Sequence, residues 1–199
     1  MSNYTLPTYF EVNEELFEIR NKGDYRTVLS CFNILYDNDL NEQERLYTCL
    51  LVFYDFEDLD EVFEYSDCLQ ELIDNMLWFF DCGNKYDDNS VPTPNRRLVD
   101  WDKDETLIAS AINNVAKTEI RAMEYLHWWT FISYYMAIGE CSLATIVSIR
   151  SKIVKGDKLE KFEKKFKAEN PQYFNIDMRT QEEKDTDEWL QSLWDGGSK

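Results

Sequence analysis

Between Ser66 and Gly83 the chain reads SDCLQELIDNMLWFFDCG, with Leu69, Leu72, Ile73, Met76, Leu77 and Phe80 three and four residues apart. That spacing puts all six on one face of a helix, and Gly83 supplies its stop. The same period recurs. Asp24 caps a segment whose face is Val28, Leu29, Phe32 and Leu35, and Asn41 with Glu44 caps one carrying Leu46, Cys49, Leu50 and Phe53. Asp102 with Glu105 precedes TLIASAINNVA, Ser142 precedes LATIVSIRSKIVKG, and Asp157 with Glu160 opens DKLEKFEKKFKAEN, which stops before Pro171. A period this persistent leaves little room for a sheet. The exception is YFEVNEELFEI (Tyr9 to Ile19), which alternates about a turn and reads as a β-hairpin.

The expected fold is therefore mainly α: a compact multi-helix domain over residues 1–170, with a short N-terminal hairpin and a variable loop at 84–97. A C-terminal appendage, 171–199, holds a linker and a short amphipathic helix whose stripe is Trp189, Leu190, Leu193 and Trp194. The loop NKYDDNSVPTPNRR carries two prolines and separates two structural halves. With 44% apolar residues, 12 Tyr, 12 Phe and 6 Trp, the chain can fill a sizeable core.

Charge narrows the function. A net −18 repels a phosphate backbone, so nucleic acid is not an expected partner. Residues 1–150 hold 11 basic and 28 acidic side chains, against 10 and 11 in 151–199. DFEDLDEVFE (Asp55 to Glu64) lacks the central glycine of a calcium loop and reads as an acidic docking face, with Asp58, Asp60 and Glu61 as contact candidates. No signal-peptide pattern and no 18-residue apolar run occurs, so neither secretion nor a membrane partner is expected. Cys31, Cys49, Cys68, Cys82 and Cys141 are odd in number and lack CxxC spacing, which fits free thiols in a reducing cytoplasm.

His127, the one histidine, lies in EYLHWWTFISYY within a helix expected from Glu119 to Ile138, apolar nearly all round and buried at its middle. A Cys–His pair or metal site would need an activated cysteine or a second histidine, and neither is present. His127 is expected to bridge helices through a carbonyl and a carboxylate. Six glycines and no GxSxG or HExxH leave no cofactor or catalytic residue to name, and enzyme function is not expected.

The order MLWFFDCG, a polar loop, LVDWDKDETLIASAI, TEIRAMEYLHWWTF and VSIR resembles a family from long, non-contractile-tailed phages of Gram-positive bacteria. Its members lie just before the tape measure gene and are regarded as tail assembly chaperones. The likeness spans Tyr9 to Lys167 and is most specific at Leu126, His127, Trp128, Trp129 and Phe131. Thr130 and Ile112 depart from the pattern. The resemblance implies a helical protein that coats the tape measure protein in the host cytoplasm and is absent from the virion. Tail tube protein and further copies of the chain are additional candidate partners. An acidic DNA mimic that inhibits a host nuclease or restriction system is the competing reading of the charge.

Overall fold

The computed structural model describes residues 5–37, 39–84 and 98–176. Strands β1 (Tyr9–Val12) and β2 (Glu15–Glu18) pair antiparallel, Phe10 opposite Phe17, as the alternation predicts. Asn13 and Glu14 turn the chain with φ of 52° and 67°, the left-handed pair a two-residue hairpin turn requires. Eight α-helices follow among the described residues: α1 (Tyr25–Leu35), α2 (Glu42–Phe53), α3 (Leu59–Glu64), α4 (Leu69–Phe80), α5 (Glu105–Ala116), α6 (Trp128–Met136), α7 (Ser142–Lys155) and α8 (Lys161–Glu169). The fold is mainly α with an N-terminal hairpin. No helix among the described residues is long and apolar enough to cross a membrane.

The chain forms two compact units. One comprises Met1–Asp87 and Ile112–Ile138, the other Asp88–Ala111 and Gly139–Lys199. In the first, α1 and α2 pack through Val28, Cys31, Cys49 and Leu50, each fully buried. The hairpin closes the core with Val12 and with Phe10 and Phe17, whose rings meet Tyr54, Phe56, Tyr65 and Trp78 edge-on or near it. All five cysteines are free thiols, and Cys31, Cys49 and Cys68 are buried.

The second unit is built on an ion pair. Arg150 of α7 is wholly buried and donates from both terminal nitrogens to the Asp104 carboxylate, itself 1% exposed. Its remaining N–H groups serve the carbonyls of Leu98 (2.9 Å) and Tyr173 (2.9 Å from Nε). A guanidinium out of water is tolerable only when its donors are spent in this way. Residues 171–176, assigned from sequence to the linker, are tied into this unit by Tyr173 and by buried Ile176. The same unit buries Leu143, Ile146 and Ile149 of α7 and Ile108 and Ala109 of α5.

Caps follow expectation at two helices and shift register at three. Asp24 caps α1, and Asn41 with Glu44 forms the reciprocal box on α2. Ahead of α5 the local acceptor is Asp100 and not Asp102: it accepts from the amides of Asp102 and Lys103 in the turn before the helix, while Asp104 accepts from the Asp100 amide. At α7 the cap is the Cys141 thiol, one residue before Ser142. At α8 the box is Glu160 with Glu163, three residues beyond Asp157. At α8 the box is also tied to α7, since Lys152 donates to Glu163 at 2.7 Å.

The largest difference concerns EYLHWWTFISYY. No continuous helix runs from Glu119 to Ile138. A 3-10 turn at Ile120–Ala122 gives way to extended chain, and α6 begins only at Trp128. Backbone groups that a helix would have paired internally find partners in α1: Arg26 donates to the carbonyls of Met123 (2.7 Å) and Arg121 (3.4 Å). Leu126 donates its amide to Asp24 and accepts from the Tyr25 amide. With these groups satisfied from outside, the helix loses its advantage over extended chain.

Candidate functional site

His127 is thus a helix cap, not the middle of a helix. Its Nδ1 accepts the Trp129 amide at 3.1 Å, and Nε2 lies 3.0 Å from the Pro7 carbonyl. A carbonyl only accepts and an amide only donates, so the ring is neutral with its proton on Nε2. The expected carbonyl is present, but an amide stands where a carboxylate was expected. Burial to 2% exposure pushes the imidazole pKa below its usual value. Both nitrogens are committed to the backbone, so His127 has no lone pair free for a metal or a substrate proton.

The sign of the pH effect follows. With the folded pKa depressed, the unfolded chain binds the proton first, and stability falls as pH drops below about 6.5, at no more than about 1.4 kcal/mol per pH unit. His127→Asn keeps an acceptor for Trp129 and loses the Pro7 bond. Urea midpoints between about pH 6.5 and 5 will fall for the native chain more steeply than for H127N. Equal slopes would contradict the neutral cap.

The two tryptophans after His127 have a second task. Trp128 Nε1 donates to the Phe80 carbonyl and Trp129 Nε1 to that of Phe79, both at 2.9 Å. Those carbonyls belong to the last turn of α4, beyond the reach of i+4 helical amides, and the Phe79 carbonyl also accepts the Cys82 amide at 3.1 Å. Gly83, at φ +79°, sits so close that a Cβ there would lie 2.9 Å from Trp129 Cη2 and 3.0 Å from Trp78 Cζ2. The stretches WFFDCG and LHWW, far apart in sequence, are thus one joint. Leu126 and Phe131 are buried beside it, and Phe131 stacks on Tyr25 at 4.6 Å.

An acidic stretch with exposed apolar side chains runs through α2 and α3. From Leu46 to Asn84 the chain has ten carboxylates and no lysine or arginine. Asp58 caps α3 by accepting the Glu61 amide at 3.0 Å, and Glu61 accepts the Glu57 amide at 2.6 Å. Asp60 is exposed and free of local duty among the described contacts. Within this field Leu59 and Phe63, one helical turn apart, are 41% and 48% exposed, and Phe63 meets the ring of half-buried Tyr47 at 5.2 Å. The sequence pointed to the acids but missed these two apolar side chains. Their four-residue spacing was visible, but not that the α3 core contact is made by Val62 instead.

Elsewhere, an open groove of about 410 Å³ is lined by Asn21, Lys22, Asp24, Arg26, Glu124 and Tyr125, with Asn21 and Lys22 at positive φ. Its main polar groups are engaged internally: Arg26 holds Asp24, and the Tyr125 hydroxyl donates to the Lys22 carbonyl. Among the described residues no cluster of three His, Cys, Asp or Glu side chains could hold a metal ion. Trp189, Leu190, Leu193 and Trp194 lie outside the described residues.

These features define a mainly α protein with a hairpin at its N-terminus, a joint sealed by paired tryptophans, and an acidic face bearing exposed apolar side chains. The model of the bacteriophage Gp15 protein family matches residues 3–175, and the chain belongs to that family. It is a phage protein. No curated protein and no solved structure matches the chain.

Proposed function

We propose that the protein is a tail assembly chaperone that binds the tape measure protein and keeps it soluble until tail tube subunits polymerise around it. The observation that carries this reading is the pair Leu59 and Phe63, exposed on one helix face within a stretch devoid of basic residues. An unassembled tape measure protein presents long amphipathic helices with basic stretches. Such a helix can place apolar side chains on Leu59 and Phe63 and its lysines on the surrounding carboxylates, giving fast and salt-sensitive association. On this reading the protein acts stoichiometrically in the host cytoplasm, without catalysis, and is left out of the virion. Tail tube protein is a further partner. A DNA mimic would need ordered rows of carboxylates, and apolar side chains interrupt the acids of α3.

Co-expression with the tape measure protein tests the proposal. The expected result is a soluble complex at low salt that weakens about thirtyfold in Phe63→Asp, corresponding to ~2 kcal/mol for one central anchor. In the parallel variant, Trp189 and Trp194 both become Ala, which asks whether the C-terminal stripe shares the binding. A tape measure protein that stays soluble alone, with no complex at low salt, would overturn the reading.

A further inference from the structure

The chain carries its own counterpart to the acidic face. Seven lysines lie between Lys152 and Lys167, and α8 holds four of them. One side of α8 is anchored within its own unit: Glu163 is 3% exposed and bonded to Lys152 of α7, and Phe166 sets its ring edge-on to Phe174 at 6.5 Å. The other side presents Phe162, 65% exposed, next to exposed Lys158, Lys161 and Lys165. The last forms only a long, exposed pair with Glu169 at 3.7 Å, and so keeps most of its charge for a partner. A large aromatic among lysines on one unit, and an aromatic–aliphatic pair among carboxylates on the other, are complementary in both charge and hydrophobicity.

We infer that copies of this protein associate head to tail, the α8 face of one copy (Phe162, Lys161, Lys165) seating on the α3 face of the next (Leu59, Phe63, Asp60, Glu64). Among the described residues the apolar members of both faces are exposed: Leu59 to 41%, Phe63 to 48% and Phe162 to 65%. The two surfaces differ, so the contact is heterologous: each copy keeps one free acidic and one free basic face, and association continues into chains or closes as a ring. The inference rests on reading the α3 face as one that takes a basic amphipathic helix. It further implies that such a helix from a partner and α8 of a second copy compete for the same place.

Light scattering on the full-length chain after size exclusion, from about 1 µM to about 1 mM, reads the effect. The expected result is an average mass that rises with concentration at low salt and falls back toward the monomer at about 1 M salt, where charge is screened within ~3 Å. Phe63→Asp disables one face and Phe162→Asp the other. Both side chains are exposed, so both variants should fold, which circular dichroism checks. Each variant alone should remain monomeric. Mixed in equal amounts, they should form a 1:1 heterodimer and nothing larger, through the one intact pair of faces. A mass independent of concentration at low salt would overturn the inference, as would a mixture that stays monomeric. Larger species in either single variant would overturn it too, since they would place the contact elsewhere. Phe162→Asp also separates the two readings: it keeps the partner-binding face and should still hold the tape measure protein. Self-association without a tape measure complex sinks the proposed function alone, and a complex with no self-association sinks this inference alone.

Discussion

Asp104→Ala will unfold the second unit far more readily than the loss of one carboxylate suggests, at a cost on the order of 3–5 kcal/mol. The substitution strands the Arg150 guanidinium, which has no exposure at all, with only the carbonyls of Leu98 and Tyr173 for its donors. Against a typical domain stability of about 5–15 kcal/mol, that is a large share. Amide exchange in α7 should accelerate by roughly two orders of magnitude or more, since each 1.4 kcal/mol is about tenfold. The double variant Asp104→Leu with Arg150→Met removes both charges and should recover part of the loss. Recovery stays incomplete because the Leu98 and Tyr173 carbonyls lose their donors, a penalty of about 1–3 kcal/mol for each that stays dry. A change below about 1 kcal/mol in D104A would mean that water reaches the guanidinium.

Trp128→Ala should cost a similar amount in the first unit, about 3–5 kcal/mol for a buried aromatic cut to a methyl. The indole is 1% exposed, stacked on Phe131 at 5.5 Å and edge-on to Phe32 at 5.6 Å. Trp128→Phe separates packing from hydrogen bonding: it keeps a ring and deprives the Phe80 carbonyl of its donor, for ~1 kcal/mol. Urea denaturation monitored by circular dichroism gives both values. The same Ala change at Trp129 should cost less, because that ring is half-buried. Equal losses at the two positions would contradict the assignment of Trp128 as the core member of the pair.

The helices were readable wherever one apolar face and a capping residue coincided. Val28 of α1, Cys49, Leu50 and Phe53 of α2, and Leu72 and Met76 of α4 are buried on the faces their spacing marks, whereas α1 also buries Cys31 and α4 buries Phe79 and leaves Leu77 44% exposed. Caps were readable only to within a few residues. Asp100, Asp102 and Asp104 offer nearly equal local chemistry, and what sets Asp104 apart is its ion pair with Arg150, forty-six residues further on. The acids at Asp58, Asp60 and Glu61 were visible as charge. Their division into a cap, an exposed carboxylate and a second backbone acceptor depends on where α3 begins.

Taken alone, the sequence determined the mainly α class, the N-terminal hairpin, the acidic first three quarters and a likeness to phage proteins, because periodicity and charge are local properties. The region around EYLHWWTFISYY needed the tertiary structure. Its apolar pattern is compatible with one long helix, and local propensity contains nothing that would break it at His127. The break arises because Asp24, Tyr25 and Arg26, a hundred residues earlier, satisfy the backbone of 121–126 from outside. Hydrogen bonds between distant segments leave no periodic trace, and so the role of His127 as a neutral cap, and of the two tryptophans after it as caps for α4, could be decided only by the packed fold.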